Sequence, residues 1–388
     1  MNVFLYLRHF PPRGAPLVGG TEKAVHGFAA GLAASGANVT VLCTGPNDSV
    51  VVANSGYAIR CFAQPASRRP FAISREMKHY LATETEGVVV LNGLFTPSVF
   101  SVARTLWRAR KPYVFAPHGV YQPELFRRNT HLKLPYWTLF ERRVLGNATA
   151  IQVQDGRQEH WLRTRGVRTP VIVVPSGVFA DDVPSNIASR WRSEGGPAFL
   201  FFGRIDVYGK GLDLLLEAFA HVAEPVDARL TIQGPISGRQ PSIRELAVKL
   251  GVADRVTLLG PDYDTPGPIR MADYDVVCIP SRWESYSVSG LEAMMAARVI
   301  LISNVAGLAP HVAAAECGAL VSPDVPTMTT GLRELLGRRA HWREMGWCGR
   351  QYALDNLQWR QIGSAALEHY RRLVPDATAT RRNASHAT

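Results

Sequence analysis

Short apolar runs alternate along this chain with stretches whose apolar residues recur at helical spacing. Val3–Leu7, Val39-Thr-Val-Leu-Cys43, Val88-Val-Val-Leu91, Ala150-Ile-Gln-Val-Gln154 and Val171–Val174 read as buried strands, with helices over 22–34, 97–108 and 157–165 between them. The second half repeats the scheme. Strands are expected at 199–203, 228–233, 255–259, 275–279 and 299–303, with helices over 212–219, 243–250 and 291–297 and an amphipathic helix near Gln358–Tyr370. Such alternation predicts an α/β chain built on doubly wound parallel sheets. A polar stretch with Pro184, Pro197 and Gly195-Gly196 divides it, so the expected organisation is a domain over 1–179, a linker over 180–197, a domain over 198–356, a helix over 357–373 and a disordered tail over 374–388.

Composition sets bounds on this picture. With 388 residues, 46% of them hydrophobic, two full cores are within reach. The apolar N-terminus is too short for a membrane span and has no basic leader or cleavage site, so it reads as the first core strand. Five cysteines (Cys43, Cys61, Cys278, Cys317 and Cys348) stand singly, as buried thiols of a reducing cytosol would. The net charge of +11 is uneven: residues 1–183 hold 21 Lys and Arg against 11 Asp and Glu, whereas the remainder holds 22 against 21. The clusters Arg104-Arg108-Arg110-Lys111, Arg127-Arg128-Lys133 and Arg142-Arg143 suit an anionic membrane surface or an acidic acceptor, at about 1 kcal/mol per cation near a charged bilayer. A generally basic composition accounts for them equally well. No recognition motif or stacking series accompanies the charge, so nucleic acid is not an expected partner.

Chemistry concentrates in two strand-to-helix turns of the second half. In Phe199-Leu-Phe-Phe-Gly-Arg-Ile-Asp-Val-Tyr-Gly-Lys-Gly, a strand ends at Gly203, the turn carries Arg204, and Lys210 sits at the start of the next helix. A cation there opposes the helix dipole unless an anion lies in front of it. Arg204 as a fork and Lys210 as a point charge suit a diphosphate; two solvated surface cations are the plain alternative. A P-loop does not fit, since Gly203 and Gly209 are one residue too far apart and Gly211, not a hydroxyl residue, follows Lys210. The second turn, Pro280-Ser-Arg-Trp-Glu-Ser-Tyr-Ser-Val-Ser-Gly-Leu-Glu292, places Glu284 and Glu292 on either side of a serine-rich helix start, where carboxylates and backbone amides suit a polyhydroxyl ligand. Ser289-Gly-Leu-Glu292 also fits a capping box, which would leave Glu292 a purely local role.

Two further places stand out in the first half. Gly19-Gly20 lie between a strand and a helix, where a ligand can approach the backbone, but Gly-x-Gly-x-x-Gly is absent and a nicotinamide dehydrogenase is disfavoured. His118, in Pro117-His118-Gly119, follows a strand, a place where an imidazole can meet a hydroxyl and where a structural histidine is as common.

The combination Gly203-Arg204 … Lys210-Gly211 … Ala218-Phe219 with Pro280-Ser281 … Glu284-x7-Glu292-Ala293-Met294 resembles the donor-binding half of the retaining glycosyltransferases of family 4, and the likeness extends over about residues 1–373. The resemblance implies two Rossmann-like doubly wound domains facing across a cleft, the GT-B arrangement, with the last helix crossing back to the first domain. It implies a nucleotide diphosphate sugar as co-substrate and a saccharide or lipid-linked acceptor. Arg204 and Lys210 would stabilise the leaving diphosphate, Glu292 would hold the ribose, and Glu284 with the amides of Ser285, Tyr286, Ser287 and Val288 would orient the sugar. Gly19, Gly20 and Gly203 would face the donor phosphates, Gly260 would begin the loop beside the base, and His118 would line the acceptor side. The aromatic, basic segment Tyr121–Phe140 looks like the part that meets acceptor or membrane in relatives, and Pro175-Ser-Gly-Val-Phe179 resembles the hinge. No metal or other cofactor is expected: Arg204 and Lys210 supply the charge, while the triplets Asp262-Tyr-Asp264 and Asp273-Tyr-Asp275 fall in a loop and at a buried strand. The chain departs from the family where Ser287 replaces a usual glycine and where Ala297-Arg298-Val299 lacks a usual glycine and proline, which puts the donor sugar in question. The expected enzyme is a cytoplasmic hexosyltransferase, peripheral on the inner membrane face if the basic half binds lipid, and working on surface polysaccharide or glycolipid. A sugar-nucleotide 2-epimerase of the same fold and a non-catalytic sugar-nucleotide-binding subunit are the alternatives.

Overall fold

The computed structural model describes residues 1–373 apart from 13, 66–68, 128, 185, 187–188, 193–194 and 237–242. The expected tail and Arg128 of the basic clusters lie outside the described residues. The chain forms two compact units, one of residues 1–176 with the segment from Trp359 onward, the other of residues 177–358.

The first unit carries β1 (Asn2–Tyr6), β2 (Asn38–Gly45), β3 (Ser49–Val52), β4 (Ala58–Ala63), β5 (Val88–Asn92), β6 (Tyr113–Ala116), β7 (Ala150–Val153) and β8 (Val171–Val173). They form one sheet in the order β3-β4-β2-β1-β5-β6-β7-β8, parallel except for the hairpin of β3 with β4. The sheet grows outward from β1 first through β2 and later through β5, so the strand order reverses between β1 and β5. In open parallel sheets that reversal opens a crevice beyond the carboxyl ends of the strands, where ligands bind. Helix Trp359–Leu373 belongs to this unit: Ser35 Oγ donates to the Arg360 carbonyl at 2.9 Å, and Tyr370 Oη donates to Gln152 Oε1 at 2.5 Å.

The second unit carries β9 (Ala198–Phe202), β10 (Arg229–Gln233), β11 (Val256–Leu259), β12 (Val276–Ile279), β13 (Val299–Ser303) and β14 (Gly318–Val321) in the all-parallel order β11-β10-β9-β12-β13-β14. The reversal here lies between β9 and β12. Successive residues of a strand serve opposite faces: Phe199 and Phe201 of β9 join one core with Val276, Cys278 and helix Leu212–Ala220, whereas Leu200, Val277 and Ile279 join the other with helix Val288–Met295. Both faces of the sheet are therefore covered, as the unbroken apolar runs predict.

Three readings of the sequence need correction. Residues from Gly177 belong to the second unit: Val183 is buried in its core, and its carbonyl accepts from the guanidinium of Arg350 at 2.9 Å, so the described part of 180–197 is not a free linker. The helix expected from Leu291 begins at Val288 and is capped by Ser287, whose Oγ accepts from the Gly290 N–H at 3.2 Å. Ser289 and Glu292 therefore do not form the capping box. The cysteines are not uniformly buried, for Cys61 is half-buried and Cys348 exposed.

Candidate active site

The turns after β9 and β12 flank the reversal point of the second sheet, and side chains and backbone join them. Arg282 is the staple. It donates to Asp213 through both terminal nitrogens, at 2.7 and 2.8 Å, and to the Tyr208 carbonyl at 2.8 Å, while its plane lies 4.2 Å from the Tyr208 ring centre. Its own N–H reaches the Gly209 carbonyl at 3.1 Å. The turns also touch at Gly211, which has φ +64° and whose missing Cβ would stand 2.0 Å from the Pro280 carbonyl oxygen. Only glycine serves there, for both reasons.

This junction brings Lys210 to Glu284. Lys210 Nζ lies 2.5 Å from Glu284 Oε2, and the same oxygen accepts from Ser281 Oγ at 3.1 Å. Both bonds use Oε2, so Oε1 is left to accept from a ligand hydroxyl. Arg204, on the turn after β9, is exposed and makes no ion pair among the described residues. One cation is thus pre-oriented by a carboxylate and a second is uncommitted, at the place where this kind of sheet binds ligands.

Ser287 has φ +94° and is buried, and its hydroxyl is taken up by the helix start. Ser285 lies half-buried, and Tyr286 turns its side chain into the core, 2% exposed, so only its backbone faces the turn. Val288 opens the helix, whose first N–H groups have no partner within the helix. Glu292 packs its carboxylate against Gly267, where a Cβ would meet Oε2 at 2.5 Å. Gly203 follows β9 directly, but Gly260 is exposed at the end of β11, the edge strand two removed from β9.

Three of the four triplet aspartates have partners of their own. Asp262 pairs with Arg270 and accepts from the N–H groups of Asp264 and Thr265 at 3.1 and 3.0 Å; these hydrogen bonds, Thr265 first and then Arg270, hold its carboxyl well below the usual range. Asp275 accepts from the Ala198 N–H at 2.9 Å, and Asp273 pairs with Arg190 at 2.8 Å. No group of three or more potential metal-ligating side chains occurs among the described residues.

In the first unit, the loops after β1, β5 and β6 carry the singled-out residues. Gly19 caps helix Gly20–Ala34, and the Glu22 carboxylate folds back to accept from the N–H groups of Gly19 and Val18 at 3.1 and 3.2 Å. His118, at φ +53°, directs Nε2 to Asn92 Oδ1 at 2.7 Å. Asn92 ends β5, and its amide nitrogen donates to the Tyr6 and Val90 carbonyls at 3.1 and 3.3 Å. That fixes Oδ1 as the acceptor, so His118 carries its proton on Nε2 and presents Nδ1 as a lone pair. Burial pushes the imidazole down to about 4, so the neutral form persists at neutral pH.

The family that describes glycosyl transferases group 1 matches residues 196–338, and the one that describes a glycosyl transferase 4-like domain matches residues 19–177. The chain belongs to the group 1 glycosyltransferases. The group 1 match contains both turns of the second unit, and the 4-like match contains Asn92, His118 and Gly20. The chain is similar to a D-inositol 3-phosphate glycosyltransferase of Xylanimonas cellulosilytica, 33% identical over 59% of each chain. The chain spans about half the length of the curated relatives it matches. Among solved structures it resembles sucrose-phosphate synthase of Thermosynechococcus elongatus, with TM-score 0.74 and 22% identity over 96% of this chain and 98% of that one. It also resembles HepE of Anabaena in complex with UDP and glucose, with TM-score 0.72 and 17% identity over 95% and 99%. These likenesses show the GT-B fold.

Reading the sequence missed Arg282 with Asp213, Gly267 and Asn92. A salt bridge across 69 positions leaves no local trace, and neither does a glycine that matters through a glutamate on another helix. Asn92 did leave a signal: a polar residue at the carboxyl end of an apolar strand points toward the ligand side of a parallel sheet.

Proposed function

We propose that the chain is a retaining glycosyltransferase that moves a hexose-type sugar from a nucleoside diphosphate sugar to a hydroxyl of a saccharide or lipid-linked acceptor. The observation that carries this reading is the Lys210–Glu284 ion pair, with exposed Arg204 on the same turn, at the reversal point of the second sheet. Charge builds on the diphosphate as the glycosidic bond breaks, and preorganised cations stabilise that charge more than they stabilise the ground state. Lys210 shifts from Glu284 toward the phosphate as the charge grows, and Glu284 then accepts from a sugar hydroxyl. Glu292 receives the ribose hydroxyls, with Gly267 keeping room for its carboxylate. His118 accepts from a hydroxyl through Nδ1 on the acceptor side, and the acceptor proton passes to the departing phosphate. Asp262, Asp273 and Asp275 are engaged by Arg270, Arg190 and the Ala198 N–H, and Arg204 and Lys210 supply the charge, so the reaction runs without a metal ion. The solved complex of HepE with UDP and glucose supports a nucleotide-sugar donor.

Leu132, Leu134, Leu139, Arg142 and Arg143 are exposed, a mixture of apolar and cationic side chains suited to an anionic bilayer and a lipid-linked acceptor, and no helix among the described residues is long and apolar enough to cross a membrane. The test is a thermal-shift panel of UDP, GDP, ADP and their sugar conjugates on wild type and Lys210→Ala. A ligand at 100 times its dissociation constant adds ~2.7 kcal/mol of stability. A shift with one nucleotide that Lys210→Ala loses supports the donor site. No shift with any of them overturns it, and turnover of the donor without acceptor replaces transfer by epimerisation.

A further inference from the structure

Glu141 is among the most deeply buried acids of the described chain, 1% exposed, and the reading above gives it no task. It ends a turn that widens to a π-helix over Trp137–Glu141, a distortion that gathers at functional sites. One of its oxygens, Oε1, accepts from the Phe95 N–H at 3.1 Å and from Tyr121 Oη at 2.8 Å. These two donors come from different loops. Phe95 follows Asn92 by three residues on the loop after β5, and Tyr121 follows His118 by three on the loop after β6. Phe95 and His118 both hold φ near +50°, an expensive conformation for residues other than glycine that persists only where the surroundings over-determine it.

We propose that Glu141 is the positioning residue of the His118–Asn92 pair: its single oxygen locks the loops after β5 and β6 together, and that lock holds His118 in one tautomer. Tyr121 is clamped at its other end as well, since Arg165 Nε donates to its carbonyl at 2.7 Å while the guanidinium lies 3.8 Å from the centre of the Phe126 ring. The Phe95 ring packs edge-on against Tyr121 and Phe126, at 6.2 and 5.7 Å. Glu141 therefore stands beneath the acceptor-side residues as Arg282 stands between the turns of the second unit. The functional consequence rests on the role given above to His118, whereas the structural consequence does not.

The experiment reads both. In protein labelled with 15N-histidine, with His118→Gln identifying the signal, His118 of the wild type should show the Nε2–H tautomer and titrate near 4. Tyr121→Phe and Glu141→Ala should raise that midpoint toward 6.5 and mix the tautomers, and Glu141→Gln, which keeps an oxygen acceptor, should restore the wild-type signal. A folded Glu141→Ala with an unchanged His118 titration and tautomer overturns the proposal; should that variant not fold, an unchanged signal in Tyr121→Phe overturns it. In turnover, Glu141→Ala should lower kcat/KM for the acceptor roughly tenfold or more, with the nucleotide-induced thermal shift intact. Loss of that shift in wild type would defeat the donor assignment alone and leave the histidine measurement standing.

Discussion

Two buried groups of the first unit are shifted in opposite directions, and their effects on stability should nearly cancel until one is removed. Burial raises Glu141 from its ordinary 4.5 to about 7, against the opposing hydrogen bonds from Phe95 and Tyr121. Burial lowers His118 from 6.5 to about 4. The folded state holds the Glu141 proton more tightly than the unfolded chain, so this contribution is complete below 4.5 and is lost as pH rises through about 7. His118 behaves in reverse: the folded state resists protonation, so its contribution is complete above 6.5 and is lost as pH falls through about 4. Each displacement corresponds to about 3 kcal/mol. Between pH 4.5 and 6.5 the wild type should therefore show little net slope from this pair. Glu141→Gln leaves only the histidine contribution, so its stability relative to wild type should climb by up to about 3 kcal/mol from pH 4.5 to 7. His118→Gln should give a difference curve of the opposite slope, falling as pH rises from 4 to 6.5. The neighbours of Glu141, namely Tyr121, Tyr136 and Arg165, keep their charge throughout this range, and other histidines are common to both proteins in each difference. Urea unfolding followed by far-UV circular dichroism at half-unit pH steps measures the two curves. A flat difference curve for either variant refutes the burial argument for that residue.

The second unit yields three further predictions. Ser287→Gly relieves a positive φ at the cost of a serine cap that glycine replaces for a few tenths, so the melting temperature should rise, by about 1 kcal/mol in stability; a fall in thermal melts would show that the strain is already relaxed. Gly267→Ala drives a methyl group into the Glu292 carboxylate, and calorimetry should show nucleotide affinity down by roughly tenfold or more, a loss of about 1.4 kcal/mol, with the fold intact. Arg282→Ala strands Asp213 and unties both turns, so urea titration should find it destabilised by ~2–4 kcal/mol; Arg282→Lys should recover little, because a point charge cannot replace the fork. Equal stability of the lysine variant and wild type would mean that charge alone joins the turns.

What could be read beforehand followed from periodicity. A doubly wound sheet buries its strands on both faces, so runs such as Val88–Leu91 and Val299–Ser303 announced themselves, and helix Pro97–Arg108 was legible end to end. Motif spacing singled out Arg204, Lys210 and Glu284, which stand on turns that follow strands, and Glu292 on the helix after the second of those turns. The start of helix Val288–Met295 was misread for a physical reason: Ser287 and Ser289 are both plausible caps, and the choice depends on a backbone angle that no pattern encodes. Arg282, Gly267 and Glu141 were invisible because each acts through a partner on another element. Sequence reading thus reached the groups that would face a ligand more readily than those that hold them still.

The substitution at Ser287 shows how structure can change the sense of a sequence departure. From the sequence, a serine where the family usually has glycine means an added side chain beside the sugar and a restricted φ. In the fold the restriction is simply overcome, at φ +94°, and the hydroxyl is withdrawn to cap the helix through the Gly290 N–H. Position 287 therefore keeps the backbone course that glycine allows. A strained residue held in place by a helix start implies that the turn's conformation matters more than the side chain it carries. The donor sugar is then to be sought in what Glu284 and the neighbouring amides can reach, and Ser287→Gly should leave the choice among sugar nucleotides unchanged even as it raises stability. A switch in preferred sugar in that variant would return the side chain to the site.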